Sequence, residues 1–86
     1  MSAINVTELF TVAAMEVNGK KLSGLSKDTV ISKLGLDSVA VMELVSYVEE
    51  KLNIRMPDEE LAKVQTLGDL GGLVKRLVPA GTEVTF

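Results

Sequence analysis

Apolar residues recur at helical spacing in three stretches of the chain. Val6, Leu9, Phe10, Ala13 and Val17 fall at i, i+3, i+4, i+7 and i+11, which predicts an amphipathic helix over residues 4–17. Asn5, three residues before Glu8, has the spacing of a capping-box opening, and Asn18-Gly19 tolerates the left-handed conformation in which helices end. The same spacing returns at Val41, Leu44, Val45, Val48 and Leu52, with Asp37 or Ser38 able to cap this second helix and Asn53 able to close it. Pro57 forbids helical continuation from Met56. Asp58, Glu59 and Glu60 then suit the first turn of a short helix, where the helix dipole favours anions, and Leu61 and Val64 would anchor it. A last helix, capped by Thr66, places Leu67, Leu70, Leu73, Val74 and Leu77 on one face. Gly71-Gly72 falls in its middle, and each glycine costs about 0.5–1 kcal/mol relative to alanine. This helix is therefore expected to be the weakest and open to bending.

Between the first two helices lies a connection over residues 18–36. A structureless loop of that length is unusual in a small domain and often functional. Its apolar residues Leu22, Leu25, Val30, Ile31, Leu34 and Leu36 predict that it lies along the helices, with a helical turn after Asp28. Nothing reads as a strand. The expected fold is all-α: a small four-helix bundle of three main helices and one short one, with a long first loop. Residues 1–78 would form the domain, and residues 79–86, after Pro79, a disordered tail.

Composition narrows the chemistry. Eighty-six residues suit one domain. The chain has no cysteine and no histidine, so thiolate chemistry, His-ligated zinc and histidine-activated nucleophiles are excluded. No group of acids has the spacing of a calcium loop, so no metal site is expected. The N-terminus lacks the pattern of a secretory leader, and no stretch approaches the roughly 18 apolar residues of a membrane helix. A cytoplasmic location and no membrane partner are expected. The formal charge is −3, unevenly spread. Residues 37–60 hold seven acids and two bases, Lys51 and Arg55, a balance of −5, whereas the rest of the chain stands at +2. Nucleic acid is therefore excluded as a partner, because phosphate attraction needs a basic face. An acidic stretch fits either a solvated face or docking onto basic protein surfaces.

On a helical projection, the side of the second helix opposite its core stripe carries Val39, Met42, Glu43, Ser46 and Glu50. Two apolar side chains ringed by carboxylates look like a small docking surface. Ser38 stands at the N-terminal end of this helix, where free backbone N–H groups and the helix dipole stabilise an anion. An Asp-Ser pair before an apolar-periodic run is, by itself, equally an ordinary helix cap.

The run Leu34-Gly35-Leu36-Asp37-Ser38-Val39 resembles the Asp-Ser-Leu phosphopantetheine attachment motif of acyl carrier proteins. Val41-Met42-Glu43-Leu44-Val45, Val48-Glu49-Glu50 and Ile54-Arg55-Met56-Pro57-Asp58-Glu59-Glu60 extend the resemblance without a gap, and it covers about residues 5–78. It implies a carrier and not an enzyme. Ser38 would bear 4′-phosphopantetheine, transferred from coenzyme A by a phosphopantetheinyl transferase that uses magnesium, and acyl groups would be held as thioesters. Asp37 would contact the transferase or its metal. Val39, Met42, Glu43 and Ser46 would meet partner enzymes that load and use the acyl group. Glu49, Glu50 and Asp58 would face basic patches on them, in weak and salt-sensitive contacts by a monomer. Leu44, Val45, Val48 and Met56 would wall an acyl pocket, or else form ordinary core.

Four positions depart from the pattern. Val39 replaces the usual leucine after the serine, and Ala40, Lys51 and Arg55 stand where primary fatty-acid carriers often hold acids. These departures favour a discrete carrier of a specialised pathway such as polyketide assembly. An aminoacyl or peptidyl carrier, a housekeeping fatty-acid carrier and an unmodified helical adaptor are the alternatives.

Overall fold

Asn5 sets where the first helix begins. In the computed structural model, which describes residues 3–86, Asn5 is extended and its side chain accepts the Glu8 N–H at 3.0 Å. Helix α1 (Val6–Asn18) therefore starts two residues later than its apolar pattern implies, and Ile4 lies in a short strand, β1 (Ala3–Asn5). The other helices are α2 (Ser38–Leu52), α3 (Asp58–Leu61) and α4 (Leu67–Leu77). The all-α expectation of three main helices and a short one is met, with a minor β element added. Residues 1 and 2 of the expected domain lie outside the described residues.

Phe10, Ala13 and Ala14 of α1, Leu44 and Val48 of α2, and Leu67, Leu70, Leu73 and Val74 of α4 form the buried core with Met56. Each of the helical side chains comes from the apolar stripe of its element or lies one position beside it, as burial of one helix face requires, while Met56 enters from the α2–α3 loop. No described helix is long and apolar enough to cross a membrane.

The long connection is stitched to the start of α4. The Ile31 N–H donates to Gln65 O at 2.9 Å, Leu67 N–H to Thr29 O at 3.0 Å, and Gly68 N–H to Lys27 O at 2.8 Å. A β-carbon at residue 68 would stand 2.9 Å from Lys27 O, so glycine is what lets the two backbones approach. Leu22 and Ile31 reach the core from this loop. The expected helical turn appears as a single 3₁₀ turn, Ile31–Lys33.

In the C-terminal part α4 is continuous, and the expectation of a disordered tail is corrected. Helix α4 runs unbroken through Gly71-Gly72, because five of its eleven residues are buried and Thr66 and Asp69 form a reciprocal capping box. The tail, expected to be disordered, includes strand β2 (Glu83–Thr85), which pairs in parallel with β1 in the register Ala3↔Glu83, Ile4↔Val84 and Asn5↔Thr85. Phe86 then lays its ring against Gly71, at the place a side chain there would occupy. A glycine that weakens an isolated helix is thus the seat of the chain's last residue, a role periodicity cannot reveal.

Two expected outcomes follow from these contacts. Gly71→Ala should destabilise the chain by roughly 1 kcal/mol or more while Phe86 is present, and by less in the Phe86→Ala background, in a double-mutant cycle by urea denaturation. The Gln65 and Thr66 backbone N–H groups donate to Asp69 and hold its carboxyl below the usual carboxylate range. A depressed native pKa adds stability that is present above the unfolded carboxylate pKa and lost as pH falls through the native one. Asp69→Asn should therefore lower the melting temperature at pH 7, and the gap to wild type should close in strong acid.

Candidate functional site

Helix α2 begins with a division of labour between two adjacent residues. Asp37 is extended at the N-cap, and its Oδ1 accepts the Ala40 N–H at 2.8 Å. The Asp37 carbonyl accepts the Val41 N–H at 3.0 Å. Capping is thus done by Asp37, and Ser38 is left as the first helical residue, exposed to solvent, with no hydrogen bond from its hydroxyl among the described residues. The Ser38 and Val39 N–H groups also lack partners there, as expected of the first turn of a helix.

Around Ser38 the exposed face of α2 has the composition its projection predicts. Val39 is 65% exposed and Met42 68%, high values for apolar side chains beside acids. With Glu43, Ser46 and Glu50 they border a shallow groove whose far wall is Val17 of α1 and Tyr47. A second cleft joins Ser46, Glu49 and Glu50 to Asp58 across the α2–α3 loop. The structure therefore brings Val39, Met42, Glu43, Ser46, Glu50 and Asp58 onto one side of the molecule.

Glu49 is placed differently from its neighbours. It is half-buried, and its Oε2 accepts the Met56 N–H at 2.6 Å. This carboxylate closes the α2–α3 loop, so one of its oxygens is already engaged within the chain. The two bases of the acidic stretch also part company. The Lys51 ammonium lies 5.6 Å from the centre of the Tyr47 ring and lines a groove with α1, away from Ser38. Arg55 stays exposed in the cleft with Glu50 and Asp58. Glu60 is drawn to α4 instead, paired with Arg76 at 3.0 Å, and that hydrogen bond holds its carboxyl below the usual range.

Between α2, α3 and the 3₁₀ turn lies a mostly apolar cleft of about 500 Å³. Val45 and Met56, two of the four residues named above as candidate acyl-pocket walls, line it. Leu44 and Val48 do not: they are 0% and 2% exposed and belong to the packed core against α1 and α4. Ile31, Val41, Leu61 and Val64 contribute walls that the sequence reading did not single out. Ile31 and Leu61 sit on elements of three and four residues, too short to show any periodicity. Among the described residues no cluster of three or more His, Cys, Asp or Glu could hold a metal ion.

Ser38 is suited to a covalently linked phosphodiester. Its oxygen is free and exposed, the helix has fifteen residues to sum its dipole, and two unpaired N–H groups lie in the same turn.

The family described as a phosphopantetheine attachment site matches residues 4–74. An acyl carrier protein of Wolinella succinogenes is 44% identical over 59 residues, covering 69% of this chain and 75% of that protein. The anthracycline acyl carrier protein DpsG of Streptomyces peucetius is 35% identical over 68 residues, covering 77% of this chain and 81% of that one. The crystal structure of an acyl carrier protein from Thermotoga maritima superposes with a TM-score of 0.73 at 31% identity, over 81% of this chain and 84% of that chain.

Glu49→Ala leaves the half-buried Met56 N–H without its acceptor and should cost about 1–2 kcal/mol in chemical denaturation. Glu50→Ala, on the exposed side of the same turn, should change stability by less than about 0.5 kcal/mol.

Proposed function

Because the chain belongs to the phosphopantetheine attachment-site family, among its acyl carrier proteins, we propose that Ser38 is the residue that bears the arm. Like the acyl carrier proteins it matches, the protein is a carrier without a catalytic step of its own, and its prosthetic group is 4′-phosphopantetheine. Bound, that group supplies a thiol on which an acyl chain is held as a thioester. The observation that carries the assignment to Ser38 is the free, exposed hydroxyl at the first position of α2, beside an aspartate that has taken over capping.

In loading, the Ser38 oxygen forms a bond to the phosphorus that bears pantetheine in coenzyme A. The bond from that phosphorus to 3′,5′-ADP breaks, and the hydroxyl proton passes to a base of the transferase. This chain has no histidine to accept it. Asp37 keeps the first turn of α2 formed while this happens, and its second carboxylate oxygen, without a hydrogen bond among the described residues, would be available for a transferase contact.

Partner enzymes are read as docking on the face around Ser38. Val39 and Met42 would supply apolar contact, with Ser46 beside them, and Glu43, Glu50 and Asp58 the charge that draws a basic patch. Glu49 would act at its free oxygen only. The cleft lined by Val45 and Met56 is the place where an acyl chain would be sheltered. We assign the carrier to a specialised pathway of the polyketide kind, supported by Arg55 amid the acids of the docking face and by the likeness to an anthracycline carrier. The 44% identity to a protein named only acyl carrier protein supports housekeeping fatty-acid synthesis as the second reading.

Apo-protein treated with coenzyme A, magnesium and a broad-specificity transferase should gain one phosphopantetheine by intact mass, and Ser38→Ala should gain none. A peptide map that placed the group on Ser23, Ser26, Ser32 or Ser46 would overturn the assignment. Transferase and synthase affinities should fall as salt rises, because the docking contacts are exposed charges.

A further inference from the structure

A lysine approaches the start of α2 from outside that helix. Helix α1 ends in a left-handed glycine cap: Gly19 adopts a φ of 62°, its N–H donates to Met15 O at 3.1 Å, and the Lys20 N–H donates to Ala14 O at 3.2 Å. The backbone of Lys20 is thereby fixed to the last turn of α1. Val17 shares a groove with Val39 and Met42, while Leu9 and Val12 share one with Tyr47 and Leu52. The two helices are therefore antiparallel, and the end of α1 lies beside the beginning of α2. From that end the half-buried Lys20 side chain crosses to Gly35, where its Nζ stands 3.2 Å from the position of a β-carbon. Gly35 is left-handed, at φ 77°, so its backbone already demands glycine, and the missing side chain leaves the ammonium its place.

Gly35 and Ser38 are three residues apart, a span of at most about 11 Å. The ammonium thus lies beside the segment that leads into α2, and it makes no ion pair among the described residues. A phosphodiester on Ser38 would add a negative charge to a stretch that already stands at −5. Exposed charges act over about 8 Å at physiological salt, and a lysine ammonium on its flexible stem is a compact charge that can follow such a group.

We infer that Lys20 is a positioning residue for the prosthetic arm, its ammonium being the counter-charge that holds the phosphodiester at the mouth of α2. The inference rests on the assignment of the arm to Ser38. It gives the phosphate two different holds: the unpaired N–H groups of the first turn of α2, and a cation brought in by α1. The arm's root would then be set by the packing of two helices, and its direction over the Val39 and Met42 face would be biased before any partner arrives.

The test compares apo and holo forms of wild type, Lys20→Met, Lys20→Arg and the neighbouring control Lys21→Met. In wild type with nitrogen-labelled lysine, loading at Ser38 should shift the Lys20 ammonium signal and leave Lys21 in place. In Lys20→Met the phosphorus NMR resonance of the arm should move. Loading should lower the melting temperature more than in wild type, and high salt should erase that extra loss. Lys20→Arg should restore the wild-type behaviour, and Lys21→Met should not depart from it. An unmoved Lys20 signal on loading, or a phosphorus resonance and a holo-minus-apo melting difference unchanged in Lys20→Met, would overturn the inference while leaving the carrier assignment standing. Failure of wild type to load at Ser38 would instead defeat the assignment itself.

Discussion

Asp37 accepts the Ala40 N–H, and in doing so it takes the capping role that the neighbouring serine would otherwise fill. A serine that caps a helix spends its oxygen on the backbone and holds a fixed rotamer. A serine one position later keeps its oxygen free, stands in the positive field of the helix end, and carries on its flanks the N–H groups that an anion needs. The assignment of the arm to Ser38 follows from that one-residue offset. The exposed Val39 and Met42 come next along the helix and give a visiting enzyme something to touch beside the attachment point.

The bundle holds this helix start in place by means that lie far away in sequence. Stitching of residues 27–31 to residues 65–68 draws the long connection down onto α4, and Leu22 and Ile31 enter the core as a result. The connection then has only a short, glycine-turned run left before Asp37. At the other end of α2, Glu49 reaches across the loop to the Met56 N–H. That contact fixes the floor of the apolar cleft, since Met56 is one of its walls. An acid that a linear reading groups with the docking charges is therefore partly structural, and the proposed docking face would owe its charge chiefly to Glu43, Glu50 and Asp58.

The arrangement of bases refines the same picture. Lys51 is turned towards Tyr47 and α1, so it does not dilute the acidic side. Arg55 does stand among the acids, and a partner complementary to this chain would be basic overall with an acidic spot opposite it. At the pole remote from Ser38, β1 and β2 tie the two ends of the described chain together, and Phe86 covers Gly71. The proposed attachment point stands at one end of the bundle, and closure of the fold at the other.

The apolar spacing along the chain was enough to specify three helices and the exposed face of the second, while local residue chemistry marked the short helix after Pro57, the caps at Asn5, Asp37 or Ser38 and Thr66, and the serine at the tip of α2. These are local properties: a helix has one period, and a cap acts within three residues. Spacing could not place Leu44 and Val48 behind the cleft and not in it, because both walls and core are apolar. Nor could it assign Ile31 and Leu61 to the cleft walls, since they lie on elements too short to have a period. The pairing of β1 with β2, the seat of Phe86 on Gly71, the engagement of Glu49 by Met56 and the reach of Lys20 to Gly35 were decided by tertiary structure alone. Each joins residues whose nearness depends on how the helices pack, and no pattern within one segment carries that information.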